Sequence, residues 1–239
     1  WKTQQKKNKR RIGNMKERII IFGAGKIAEV ITHLIKKYDL FEIVAYCCDK
    51  NFIQSETFHG KPLLTKEKCK VKYKPKEYKM FVALGYYNLN KLREEKCAWA
   101  KENGYSLIKI FNKNLIQNIS IGENSVLMEK SIVQPGVKIG KNVFVWDGAI
   151  IGHHTKINDN CWITSGSTIG GNSIIGNSSL LGLNSTIGND VALGRKTIVG
   201  ANCTVTKNCE EYSVFIQKDT EKYKLDSMQF LKLTNWIES

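Results

Sequence analysis

The chain has 239 residues, 42% of them hydrophobic and 25% charged, with a formal net charge of +15 and seven cysteines. That length holds two modest domains, each with a core of its own. No apolar run approaches transmembrane length, the apolar stretch Ile19 to Phe22 is too short for a signal peptide, and the absence of any CxxC pair argues against zinc and for reduced thiols.

The excess charge lies in the first half: residues 1–120 carry 26 basic and 11 acidic residues, residues 121–210 carry 7 and 6, and residues 211–239 carry 4 and 5. It concentrates in Lys2 to Arg18 and in Lys66 to Lys79, both read as solvated, mobile surface. There is no nucleic-acid motif and no aromatic interleaving for base stacking, so nucleic acid is not an expected partner. The sign suits small polyanions. Neither a membrane nor a metal is expected, and the default location is cytoplasmic.

In chain order, residues 1–16 read as a basic extension or linker. Arg18 to Phe22 reads as a buried strand, followed at once by Gly23-Ala24-Gly25-Lys26-Ile27-Ala28, which opens a helix through about Lys37. This is G-x-G-x-x-A in a strand-turn-helix setting, where glycines let the turn close and let a phosphate approach backbone N–H groups. A second strand, Glu42 to Cys47, ends near Asp49 and Lys50, where a carboxylate can accept hydrogen bonds from a ribose or base. A third strand, Met80 to Leu84, ends in Gly85-Tyr86; a helix from about Leu89 to Glu102 and a strand from Ser106 to Ile110 follow. With so few residues the sheet is too small for a two-half dinucleotide fold, so a single nucleotide is expected rather than NAD.

From Ile121 to Glu210 the chain repeats every six residues, in fifteen hexads. Every first position is Ile, Leu or Val, and every fifth is small or β-branched, as in Ser125, Ala149, Thr155 and Cys161. Eleven of the fifteen fourth positions are Asn, Asp or Gly, the types that tolerate positive φ at a corner. Three hexads close one coil of a triangular β-solenoid, which at about 4.8 Å per coil is roughly 24 Å long. Two of the four histidines, His153 and His154, are adjacent in this repeat, at a third position and a corner. Imidazole there is suited to take a proton near neutral pH. His33 and His59 read as structural or surface residues. Beyond the repeat, Phe230, Leu233 and Ile237 form an apolar set at helical spacing, expected to cover the open end of the prism.

An N-terminal α/β unit joined to a hexapeptide repeat carrying Gly148-Ala149-Ile150-Ile151-Gly152-His153 resembles the bacterial hexapeptide-repeat sugar acetyltransferases, of the bacillosamine-pathway N-acetyltransferase and sialic-acid O-acetyltransferase type. The resemblance spans residues 17 to about 210. It implies a Rossmann-like sugar-nucleotide-binding domain over 17–112 and a left-handed parallel β-helix acetyltransferase domain over 113–210; the tail over 211–239, short and helical in pattern, departs from the family's usual ending.

The resemblance further implies a homotrimer with acetyl-CoA between neighbouring prisms and His153 as general base toward a sugar amine or hydroxyl. On the cofactor side it points to Gly171, one coil beyond His153, as a backbone donor to the thioester oxygen. It points also to Gly182, Leu183 and Asn184 along the channel, and to Lys196, with Arg195 and Lys207, for the phosphates. On the sugar-nucleotide side it points to Gly23, Ala24, Gly25, Asp49, Lys50, Gly85 and Tyr86. Two departures stand out. His154 occupies the place of a Glu beside the base, leaving Asp147 or Asp159 of a neighbouring chain to orient it. Trp162 replaces a second His, as an apolar wall for the pantetheine arm or as interface packing. N-acetylation leads and O-acetylation is the alternative; a non-catalytic sugar-nucleotide-binding scaffold is a reading from another class. A γ-type carbonic anhydrase would need a third zinc-binding His that the repeat lacks.

Overall fold

The computed structural model describes residues 16–111 and 119–234. Most of the basic extension, the link at 112–118 that contains the expected domain boundary, and residues 235–239, with Trp236 and Ile237, lie outside the described residues.

The first unit is a small α/β sheet. Its strands are β1 (Arg18–Phe22), β2 (Glu42–Cys48), β3 (Thr57–Phe58), β4 (Lys61–Thr65) and β5 (Lys79–Val82), in the order β3-β4-β2-β1-β5. β1 lies between β2 and β5 and pairs in parallel with both, so Ile19 to Phe22 are buried on both faces while Arg18 at its start is exposed. Ile19 and Ile21 enter one core and Ile20 and Phe22 the other, as strand alternation requires. Helix α1 (Lys26–Lys37) buries Ala28, Ile31, Thr32 and Ile35, a single helical stripe. Its Thr32 hydroxyl reaches the Ala28 carbonyl at 2.6 Å and the Tyr46 hydroxyl at 2.7 Å.

The stretch from Lys66, expected to be mobile surface, instead opens as helix α2 (Lys66–Lys72). Thr65 caps it by accepting the Lys68 N–H, and Cys69 anchors it in the core. The following helix α3 (Lys91–Glu102) starts two residues later than expected, because Asn88, Leu89 and Asn90 all have positive φ. The expected strand over Ser106 to Ile110 is reduced to isolated bridges, Met80 with Leu107 and Ile110 with Val126, which splice the sheet to the first coil.

Fifteen two-residue strands follow, from Ser120–Ile121 to Thr204–Val205, and each ends on a first-column aliphatic. They pair in parallel eighteen residues apart, as Phe144 with Trp162, and form three sheets, the faces of a parallel β-helix. They are termed here the Trp162, Ile150 and Lys156 faces. First-column side chains fill the interior from Ile121 to Val205. Fifth-column hydroxyls also point inward and donate to carbonyls fifteen residues on: Ser125 to Gly140 at 2.8 Å, Thr155 to Gly170 at 2.9 Å and Ser173 to Gly188 at 2.8 Å. A small polar residue is therefore satisfied in an otherwise apolar prism. Corner residues from Asn124 to Asn202 take positive φ, Lys130 excepted.

The last coil departs from the repeat. Leu193 bridges Cys209 and Val199 pairs with Phe215, sixteen residues apart rather than eighteen, so the hexad spacing that runs through Glu210 in sequence is lost after Val205. Cys209 and Phe215 pack on the end of the core. Helix α4 (Ser227–Leu233), capped by an Asp226–Gln229 box, buries none of its residues. The shortened coil thus packs on the end of the prism core, while α4 leaves its residues partly or fully exposed.

Candidate functional site

Two groups of the expected site residues come together in the α/β unit, at the carboxyl ends of its parallel strands. β1 neighbours β2 on one side and β5 on the other, so the strand order switches at its carboxyl end, where the Gly23 and Gly85 turns lie. Gly23 has φ +125°, and a Cβ on it would lie 2.6 Å from the Ala83 carbonyl oxygen. Only glycine fits. Gly25 caps α1 with extended backbone and no side chain covering the helix start. Ala24 is half-buried; Gly25 and Lys50 are exposed. Gly85 lies within reach of Ile27 on α1, and the Tyr86 ring is 53% exposed above Trp162, with centroids 5.4 Å apart.

Asp49 is held at this edge by two lysines the sequence reading did not single out. Lys66 Nζ approaches one carboxylate oxygen at 2.8 Å and Lys96 Nζ the other at 2.6 Å. Burial pushes the Asp49 carboxyl up, but the hydrogen bonds and charges of the two lysines outweigh it and hold the group below the usual carboxylate range. The edge is a fixed carboxylate framed by ammonium groups. Nothing in the spacing of Lys66 and Lys96 from Asp49 marked them; only the fold brings α2 and α3 to the end of β2.

On the β-helix, His153 and His154 are exposed at the corner between the Ile150 and Lys156 faces. His154 takes the left-handed corner conformation, φ +58°. The two Nδ1 atoms are 3.1 Å apart, with the rings inclined at 76°. The backbone N–H of His153 donates to Gln134 Oε1 at 2.8 Å. Gly171 lies directly above on the next coil: a Cβ there would fall 2.7 Å from His153 Nε2. Its N–H, however, donates to Asn189 Oδ1 at 2.8 Å, so the expected oxyanion donor is already engaged. Asp147 and Asp159 sit at the other two corners, where each accepts a backbone N–H of the preceding coil, from Lys130 and Lys141, at 2.8 Å.

Of the remaining cofactor candidates, Lys207 lies three coils above His153 on the same corner, and the others lie on different corners. Gly182, Leu183 and Asn184 form the corner between the Trp162 and Ile150 faces. Lys196 and Arg195 lie at the third corner, where both cations stand over the Tyr212 ring at 5.2 and 5.3 Å, and Arg195 pairs with Glu211 at 2.5 Å.

Trp162 departs further from expectation. It is 2% exposed on a face the α/β unit covers, stacked on Phe144 at 4.6 Å and 14°. Arg93 of α3, itself fully buried, lies over both rings, 4.4 Å from Phe144 and 4.9 Å from Trp162. Burial brings the Arg93 guanidinium down to about 9. Trp162 thus packs between the two units, on a different face from the His153 corner.

Beside it runs a ladder of corner asparagines. Asn124 Nδ2 donates to Asn142 Oδ1 at 2.9 Å, Asn142 Nδ2 to Asn160 Oδ1 at 2.7 Å, and Asn160 Nδ2 to Glu94 of α3 at 2.8 Å. Asn124 Oδ1 also accepts the Val82 N–H at 2.8 Å, Asn90 donates to the Asn160 carbonyl at 2.7 Å, and Arg93 to the Asn142 carbonyl at 2.5 Å. The sequence marks these asparagines as turn formers; their second role, fixing the two units to one another, depends on which corner faces α3. Among the described residues, no group of His, Cys, Asp and Glu side chains can hold a metal and no helix is long and apolar enough to cross a membrane.

Residues 18–100 match the PglD N-terminal domain family and residues 111–221 match the GMPPB C-terminal domain family. No curated protein matches the chain in sequence. Among solved structures, a histidine-to-asparagine mutant of perosamine N-acetyltransferase from Caulobacter crescentus, in complex with CoA and GDP-perosamine, is similar at 20% identity with a TM-score of 0.74, over 82% of this chain and 91% of that one. The acetyltransferase domain of PglB from Neisseria gonorrhoeae, in complex with acetyl coenzyme A, is similar at 22% identity and a TM-score of 0.74, over 83% and 95% of the two chains. WeeI from Acinetobacter baumannii is similar at 19% and 0.70, over 83% and 95%. The chain thus shares the two-part fold of these structures, an N-terminal α/β unit followed by a parallel β-helix.

Proposed function

We propose that this protein transfers the acetyl group of acetyl-CoA to the amine of a nucleotide-linked amino sugar, with His153 as general base. The observation that carries the reading is the union of two sites on one frame. An exposed imidazole pair stands at a β-helix corner, and the Gly23–Asp49–Gly85 edge, with its lysines, lies at the strand ends of the unit clamped onto the same helix. Two of the similar structures hold CoA or acetyl coenzyme A, and one of these also holds GDP-perosamine, which supports the same pairing of ligands here.

In this reading residues 17–112 bind the sugar nucleotide: Gly23, Ala24 and Gly25 receive its phosphates, Asp49 and Lys50 its ribose or base, and Gly85 and Tyr86 flank the sugar. Residues 113–210 bind acetyl-CoA. His153 Nε2 removes a proton as the amine nitrogen attacks the thioester carbonyl, the carbon–sulfur bond breaks, and the departing thiolate takes that proton. No covalent enzyme intermediate is required. Gly182, Leu183, Asn184 and Lys196 lie at two corners away from His153, so CoA contacts to all of them require neighbouring prisms, which favours a homotrimer with intersubunit sites.

The test is thiol release from acetyl-CoA with UDP-, dTDP- and GDP-linked amino sugars, with NMR of the product to locate the new acetyl group. An amide product is expected. An ester product would move the reading to O-acetylation, and binding of sugar nucleotides with no thiol release from any of them would leave a non-catalytic scaffold.

A further inference from the structure

We infer that His154 is a positioning residue that fixes the tautomer of His153, in a neutral imidazole–imidazole dyad built by three residues of the adjacent coils. The inference rests on His153 being the base, and its test separates the two claims.

The 3.1 Å contact joins Nδ1 to Nδ1, so one nitrogen donates and the other accepts. If His153 donates, its Nε2 carries the lone pair and serves as the base; if His154 donates, His153 carries its proton on Nε2 and cannot act. Catalysis selects the first arrangement. No carboxylate is bonded to either ring among the described residues. The charged side chains on the elements packed against this corner are Lys138 and Lys156 on the Lys156 face, with Asp190 and Lys207 higher on the same corner. Asp190 is held by Asn172 Nδ2 at 2.7 Å. His154 is the group available to accept the His153 proton.

The neighbouring coils explain why the rings adopt this pose. In three other hexads the third-position side chain turns back to cap a backbone N–H of the coil before, Asp159 and Asn189 that of the residue eighteen back and Asp147 that of the residue seventeen back. Eighteen residues before His153 stands Pro135, which has no N–H to offer. Freed from capping, the His153 ring rests over Gly171, where a Cβ would come within 2.7 Å of it. The His154 ring rests over Gly136, where a Cβ would come within 2.8 Å. A proline and two glycines thus clear the space in which two imidazoles meet edge to face.

The dyad needs no second proton transfer. His153 accepts the substrate proton on Nε2 and becomes an imidazolium whose Nδ1–H remains donated to neutral His154; the thiolate then recovers the proton. Because the partner is uncharged, the imidazolium lacks the stabilisation that a carboxylate partner gives.

The experiment uses the intact protein labelled with ¹⁵N-histidine, in which only four histidines report. Two-bond ¹H–¹⁵N correlations read the tautomer of His153 without substrate. Wild type is expected to show the Nδ1–H form. His154→Gly, which suits the positive φ of this corner, is expected to shift His153 toward the Nε2–H form and to lower kcat about 100-fold with KM little changed. His154→Glu restores an acceptor; it is expected to recover most of the turnover, with the acid limb of the kcat/KM profile moved to higher pH. A His153 Nε2–H tautomer in wild type, an unchanged tautomer in His154→Gly, or an acid limb in His154→Glu that coincides with wild type overturns the dyad. The expected tautomers with no thiol release from any sugar nucleotide would instead uphold the dyad and refute the acetyltransferase reading.

Discussion

Replacing Asn160 by glycine isolates the interdomain ladder from the turn it sits on. Asn160 has φ +61°, which glycine adopts freely, so the corner itself is not strained by the change. Lost are the bond to Glu94 at 2.8 Å and the bond accepted from Asn142 Nδ2 at 2.7 Å, about 1 kcal/mol each. Asn142 is 3% exposed, and its stranded amide adds about 1–2 kcal/mol of desolvation. The sum is about 3–4 kcal/mol, which in a chain of this size corresponds to roughly 6–16 °C in Tm.

The control is Asn184→Gly, the same residue type with φ +55° at an exposed corner, expected within about 0.5 kcal/mol of wild type. Calorimetry at one fixed protein concentration compares the two, because assembly also shifts Tm. A double-mutant cycle with Glu94→Gln isolates the cross-unit bond. Equal Tm values for the two glycine variants would refute the ladder as an interdomain clamp.

Three further outcomes follow from the geometry. Gly23→Ala puts a methyl 2.6 Å from the Ala83 carbonyl and is expected to cost about 2 kcal/mol or more, with loss of sugar-nucleotide affinity by titration calorimetry. Asp49 has a folded-state pKa below its unfolded one, so its stabilisation is full above the unfolded value of about 3.9 and is lost as pH falls through the folded value. Asp49→Asn should therefore weaken the acid dependence of stability below about pH 4, as measured by denaturant midpoints across that range. Trp162→Ala is expected to cost about 3–5 kcal/mol, while a milder Trp162→Phe leaves KM for acetyl-CoA within about twofold of wild type; a large rise in that KM would return Trp162 to the cofactor site.

The β-helix was legible because each column of the hexad is restricted for its own steric reason, and fifteen repetitions leave no competing period. Its end was not: the shortened coil at Cys209 and Phe215 keeps residues of the same type while shedding the spacing. In the α/β unit, the Gly23 turn and the strands beside it were readable from local pattern, whereas α2 was hidden by lysines that a charge count assigns to solvent. Three of its residues, Lys66, Cys69 and Lys72, do different things: one grips Asp49, one packs in the core, one is exposed. The histidine pair was visible, but its contact, and the part played by Pro135, Gly136 and Gly171 in making it, depends on neighbours a coil away in sequence. The packing of Trp162 against α3 was hidden for the same reason: a six-residue repeat says that a side chain points outward but not which of three faces meets the other unit.

The central claim is that His153 carries the chemistry of an acetyl transfer assembled from both units. The most direct measurement is single-turnover thiol release by His153→Asn beside wild type, with CoA and sugar-nucleotide affinities determined on the same samples. The account predicts both affinities retained and the rate lower by about 10²–10⁴. A variant that binds both ligands and releases thiol at the wild-type rate would contradict it.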